Sequence, residues 1–291
     1  MKFKPSKKTL LYTAYIIGIT IFFLWYLFPS DVLKSYLAYR LTQGRPDVTV
    51  TIGRVKPILP PGIDLQHVVV ARQRMTLVNL ESLKIMPVLQ SLFSSRKAVN
   101  FKSRVFEGVV SGRMELDDDS RGNGTRIDGR MAGLQVQQIS LLKQLSEHEI
   151  SGGLDGTFTY ADAGPNRSLS GNLNLNNCRI MLAVPVFSQK SFEFKTVAAN
   201  LTLQGNTLAI KQLDAKGNQL DLNLTGNVGL NAAVAGEDEL NLTGTVTPHH
   251  VFLAKIEKEI PVNLLRNKKT GKAAISFKID GTMGDPAFSL N

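Results

Sequence analysis

One short pattern recurs through the chain and restricts the folds open to it: apolar residue, spacer, glycine, spacer, apolar residue. It stands at Val110-Ser-Gly112-Arg-Met114, Ile127-Asp-Gly129-Arg-Met131 and Ile150-Ser-Gly152-Gly-Leu154. It returns at Leu169-Ser-Gly171-Asn-Leu173, Leu224-Thr-Gly226-Asn-Val228, Leu242-Thr-Gly244-Thr-Val246 and Ile279-Asp-Gly281-Thr-Met283. The intervals are unequal, so this is not a solenoid code of fixed period. A glycine inside a strand marks a bulge, a sharp coil or a close backbone approach. Repeated this often, it predicts a sheet that curls along its length.

Around the glycines the apolar period is two. Leu220, Leu222 and Leu224 interleave with Asp221, Asn223 and Thr225; Ile275, Phe277 and Ile279 interleave with Ser276, Lys278 and Asp280. Leu201, Leu203, Leu240 and Leu242 follow the same grammar, and Val48, Val50 and Ile52 open it. Such strands bury one face and wet the other, as antiparallel sheets can; buried parallel strands read as unbroken apolar runs. Convincing helical patterns are few: a short one over Pro87–Ser94, another near Val136–Glu147 and a third over His249–Leu265. They are too few to cover a dozen apolar strand faces. That face must pack on a second sheet, curl on itself, or hold something apolar that is not protein. The candidate lining is Leu201, Leu203, Leu220, Leu222, Leu224, Leu240, Leu242, Ile275, Phe277 and Ile279.

The N-terminus has a different texture. Lys2, Lys4, Lys7 and Lys8 precede an uncharged run, Leu10–Phe28, closed by Pro29. As a helix the run is about 28 Å long, close to a bilayer's hydrocarbon thickness. It is longer than a signal-peptide apolar region and ends in Trp25, Tyr26, Leu27 and Phe28 rather than at a small-residue cleavage site. The expectation is an uncleaved transmembrane helix over 10–28. Its anchor residues are Leu10, Ile16, Ile17, Ile21, Phe22, Phe23, Leu24, Trp25, Tyr26, Leu27 and Phe28. The four lysines act as topology determinants that keep residues 1–9 in the cytoplasm. Val32, Leu33, Tyr36, Leu37 and Leu41 recur at helical spacing, with Ser30 as the expected N-cap, giving a juxtamembrane helix or neck over 29–46. The β-rich domain then occupies 47–291 on the far side of the membrane.

The formal net charge is +10. The excess is dispersed, which describes a solvated surface rather than a nucleic-acid groove, with a weaker attraction to anionic headgroups around Arg96–Arg104. The one cysteine, Cys178, permits no internal disulfide and reads as a small buried hydrophobe. His67, His148, His249 and His250 do not assemble a zinc set, since adjacent histidines point to different sides. Asp117-Asp118-Asp119-Ser120 reads as a solvated turn, because the alternating ligand pattern of a calcium loop is missing. No nucleophile elbow, zinc-protease helix or phosphate loop is present. The expectation is therefore a non-enzymatic protein with no catalytic residues, no metal and no cofactor.

An ordered set of segments carries a family resemblance. These are Leu59-Pro-Pro-Gly-Ile-Asp-Leu65, Leu80-Glu-Ser-Leu-Lys-Ile-Met-Pro-Val-Leu-Gln-Ser-Leu-Phe-Ser94, Val99-Asn-Phe and Phe106-Glu-Gly-Val-Val-Ser-Gly112. Ile279-Asp-Gly-Thr-Met-Gly-Asp-Pro-Ala-Phe-Ser-Leu290 closes the set. Together they resemble the type II secretion system protein N family, which is related to AsmA-like periplasmic proteins. The resemblance implies a mainly β fold: an N-terminal transmembrane helix, then an elongated, curled antiparallel β-sheet (an AsmA-like groove) with a few short helices. It further implies a single-pass inner-membrane protein of a diderm bacterium, with a cytoplasmic N-terminus and a periplasmic C-terminal domain. The expected role is accessory to the type II secretion machine through protein assembly contacts. The alternative is binding or transfer of lipid or lipoprotein through the groove. Expected partners are the inner membrane, other inner-membrane secretion proteins, and phospholipid or lipoprotein, with no nucleic acid.

Overall fold

The computed structural model describes residues 7–43, 47–59, 61–72, 75–117, 124–140, 142, 148–163, 166–186, 189–231, 237–250, 252–253 and 274–290. Two helices come first, α1 (Lys7–Tyr26) and α2 (Ser30–Thr42). The first seven strands are β1 (Val48–Ile58), β2 (Gly62–Arg72), β3 (Met75–Pro87), β4 (Arg96–Val105), β5 (Gly108–Asp117), β6 (Thr125–Gln135) and β7 (Glu149–Ala163). The rest are β8 (Asn166–Val186), β9 (Gln189–Gln204), β10 (Thr207–Gly217), β11 (Leu220–Gly229), β12 (Glu239–Pro248), β13 (Ile275–Thr282) and β14 (Pro286–Leu290). All fourteen form one antiparallel sheet in which order in space equals order in sequence. The end strands β1 and β14 do not pair, so the sheet is open.

The expected fold class needs correction at its N-terminus. Among the described residues, no helix is long and apolar enough to cross a membrane. Lys7 and Lys8 occupy the first turn of α1, and Thr9, Tyr12, Thr13, Tyr15, Gly18 and Thr20 interrupt its apolar run. Of the expected anchor and topology residues, Lys2, Lys4 and the side chains of Leu10, Ile17, Ile21, Leu24 and Trp25 lie outside the described residues. Pro29, not Ser30, takes the N-cap position of α2, with no side-chain cap; its carbonyl accepts the Leu33 N–H at 3.0 Å.

The short helices also shrink. Over 87–94 the chain makes a 3-10 turn, Leu89–Phe93, in which the Ser91 hydroxyl donates to the Val88 carbonyl (2.7 Å) and accepts the Ala98 N–H (2.9 Å). Over 136–147 the described part is a 3-10 turn, Val136–Gln138. Over 249–265 it is a single turn, with the N–H groups of Phe252 and Leu253 both donating to the His249 carbonyl. After Val136–Gln138 the Leu142 N–H donates to the Ile139 carbonyl at 3.1 Å; residues 141, 143–147, 251 and 254–265 lie outside the described residues, as do Asp118 and Asp119.

Surface area shows how little the sheet is covered. The chain exposes 20260 Å², whereas a compact monomer of 31.9 kDa exposes about 12,000 Å². A second layer on the sheet would have removed most of that excess. Among the described residues the largest fully buried side chains are Ile52 and Val55, each 1 % exposed. They form a core with Leu65 and Val68, against which Phe28, Leu33 and Leu37 pack from the start and body of α2. A second core joins Cys178, Phe194 and Ala215 with half-buried leucines of β8, β10 and β11.

Candidate functional site

The register aligns apolar residues into rows that run across the strands. The first row is Pro57, Ile63, Ile85, Phe101, Gly112, Gly129, Phe158, Gly171, Leu201, Ile210, Gly226, Leu242, Ile279 and Phe288, one residue per strand from β1 to β14. Every member is apolar or glycine. The next row begins at Val55 and Leu65, passes Leu173, Leu213 and Leu224, and ends at Phe277 and Leu290; Ser103 is its one polar member. A third runs from Val99 and Met114 through Tyr160, Leu203 and Val228 to Leu240. With strands about 4.8 Å apart, the apolar face is about 60 Å long.

The recurrent glycines have a place in these rows. A Cβ on Gly129 would collide with the Phe158 ring of the next strand. A Cβ on Gly244 would lie 2.6 Å from Cζ of Phe277 and 2.6 Å from the Asn223 carbonyl oxygen. The glycine therefore seats an aromatic ring flat across the neighbouring strand, and the row stays filled without a side chain of its own. Phe277 is only 6 % exposed, and Phe288 stacks on it at 5.4 Å between ring centres. Register shifts at Met131/Leu134, Ser151/Gly153 and Ile210/Leu213 are β-bulges, which raise local twist while keeping the apolar set on one face.

All ten residues expected to line the face share it: Leu201, Leu242 and Ile279 in the first row, Leu224 and Phe277 in the second, Leu203 and Leu240 in the third. Leu222 and Ile275 face each other through Val246, and Leu220 pairs with Pro248. Leu242 and Phe277 are buried and the other eight half-buried. Sequence reasoning missed the contribution of β2 to β8, where Ile85, Phe101, Phe158 and Leu173 continue the rows. The signal was the glycine motif itself, which alternates with the large residues along each row.

The chain closes the face in two places. Phe28, Leu33 and Leu37 seal it over β1 and β2. Phe252 meets Phe192 edge-on at 6.0 Å between ring centres and packs on Leu220 and Ile275. Between them the face is half-buried, and Leu169 in the third row is exposed.

The chemistry available on either face is sparse. Burial pushes the Cys178 thiol above its ordinary pKa, so it stays neutral among apolar neighbours. On the polar face Arg126 donates to Asp128 (2.9 Å) and so does the Thr159 hydroxyl (2.7 Å), holding Asp128 below the usual carboxylate range. The histidines stand apart: His67 interrupts the β1–β2 pairing with φ 53°, His148 Nδ1 accepts the Ala183 N–H, and His249 Nε2 lies 3.3 Å from Asp221. Among the described residues no group of three His, Cys, Asp or Glu side chains could hold a metal ion.

The architecture so defined is an open, single-layer antiparallel meander with one apolar and one polar face. No family model, no curated protein and no solved structure matches the chain.

Proposed function

We propose that the protein is a non-enzymatic envelope protein whose apolar face holds acyl chains of lipid or lipoprotein. One observation carries this reading: rows of apolar residues and glycine cross the whole sheet on a face that no second sheet covers among the described residues. Apolar area on this scale in water is unfavourable, and at about 25 cal/mol per Å² an alkyl chain laid along it is a strong ligand. The aromatic-on-glycine seats give a smooth floor without polar side chains, suited to chains that slide. Leu11, Ile16, Phe22 and Phe23 of α1 are more than half exposed, which supports membrane association of the N-terminal region and residence at the inner membrane. The test is mass spectrometry of organic extracts from the purified full chain. Stoichiometric phospholipid or acylated peptide is expected; a lipid-free protein with the same far-ultraviolet spectrum counts against the reading.

A specific observation favours assembly contacts as a second reading, in line with the resemblance to type II secretion proteins. Among the described residues β14 pairs with β13 alone, and its five residues are all exposed and uncharged. Such an edge accepts another chain by strand addition. A photo-cross-linker at Ser289 is expected to capture inner-membrane secretion components, and tagged protein that emerges alone excludes this role.

A further inference from the structure

The polar face is not uniform. On β1 to β6 it carries Arg54, Lys56, Lys84, Lys102, Arg104 and Arg130, all exposed and none in an ion pair among the described residues. Lys84 stands directly opposite Lys102 in the ladder, and Asp64 separates Lys56 from Lys84. Asp64 is only 8 % exposed, with Oδ2 accepting from Gln66, so it offers the surface little negative charge. Glu115 and Asp128 are engaged by Arg113 and Arg126, leaving Glu81 and Glu107, which accepts from Gln138, as the nearby exposed acids against six cations. Like charges directly opposite one another cost stability. Beyond β7 the same face mixes signs: Arg179 pairs with Glu193 and Lys278 with Asp280, Lys216 stands opposite Asp221, and between them Asn200 donates to Asn172, the Thr225 and Thr243 hydroxyls meet, and Asn227 pairs with Asn241.

We infer that the polar face of β1 to β6 docks on a bilayer surface bearing anionic phospholipid headgroups. Charge complementarity argues for it, because the cations are spread over a flat face several strands wide, which matches a surface of phosphates rather than a single ligand. Position argues for it as well. Phe28, just after the exposed apolar helix α1, packs on β1 and β2, so the apolar helix and the basic strands belong to the same end of the molecule. Cations near such a surface each add to binding and lose effect with salt. The inference is independent of what the apolar face holds.

The test is flotation of the full chain with vesicles of phosphatidylcholine alone and of phosphatidylcholine mixed with phosphatidylglycerol. Wild type is expected to bind the mixed vesicles about tenfold or more tightly, with the difference fading as salt rises. The combined variant Lys84→Gln, Lys102→Gln, Arg104→Gln loses that preference and keeps its binding to phosphatidylcholine. A charge-matched control, Lys190→Gln, Lys195→Gln, Lys211→Gln, retains the preference. Equal binding of wild type to both vesicles overturns the inference, and so does an equal loss in the control.

Discussion

The two ends of the sheet solve one problem in different ways. At β1 and β2 the apolar face is sealed from within: α2 lies on it, and Ile52 and Val55 reach 1 % exposure. From β8 to β13 only the short turn at Phe252 covers it among the described residues, and Leu220, Leu222, Leu224 and Ile279 stay half-buried. The polar faces differ too, basic at the first end and, at the other, Asn and Thr ladders among paired charges of both signs. A single sheet cannot desolvate its own apolar side. It needs a helix, which the first end has, or a ligand, which the proposed function supplies to the remainder.

Truncations at the two ends sharpen this contrast most. Ile52→Ala, beneath α2, is expected to cost about 3 kcal/mol, whereas Leu224→Ala on the half-buried stretch costs about 1 kcal/mol. Urea denaturation of both variants checks it, and equal losses would break the distinction between sealed and open regions. Gly244→Ala should cost about 2 kcal/mol, because the new methyl meets both the Phe277 ring and the Asn223 carbonyl. If it is neutral, the glycines do not act as seats for rings.

Smaller effects follow at the basic end. The two-residue hairpin between β4 and β5 places Phe106 and Glu107 at φ 50° and 62°, a type I′ turn made without Asn or Gly. Glu107→Gly should therefore raise stability by about 1 kcal/mol, read as a higher melting temperature. The smallest effect concerns Asp128, whose pKa is lowered first by its hydrogen bond from Arg126 and then by that from Thr159. A carboxylate with a depressed folded pKa adds stability above its unfolded pKa and loses it as pH falls through the folded value. Asp128→Asn should slightly flatten the acid limb of the stability–pH curve and leave neutral pH almost unchanged. The pair is solvent-exposed, so the change is small.

Much of the sheet is legible from residue order. Alternation over 220–224 and 275–279 gives strand, face and antiparallel pairing, because each strand must keep its leucines on one side. The glycine motif signals close backbone approach, but not that Phe158 or Phe277 fills the gap, since the ring comes from a strand whose register sequence spacing does not fix. The N-terminus misleads for the opposite reason. An uncharged run from Leu10 to Phe28 has the length of a membrane span, yet among the described residues no helix is long and apolar enough to be one. Ionic balance is hidden as well: Lys84 and Lys102 are 18 positions apart in sequence and become neighbours only through the β3–β4 register.

The central claim is that the apolar face outside the patches sealed by α2 and Phe252 carries lipid. Site-specific photo-cross-linkers placed in cells at Leu173, on that face, and at Asn172, one residue along β8 and on the opposite face, test it directly. Lipid adducts at position 173 and their absence at 172 are the predicted result. Adducts equal at both positions, or protein adducts alone at 173, would contradict it.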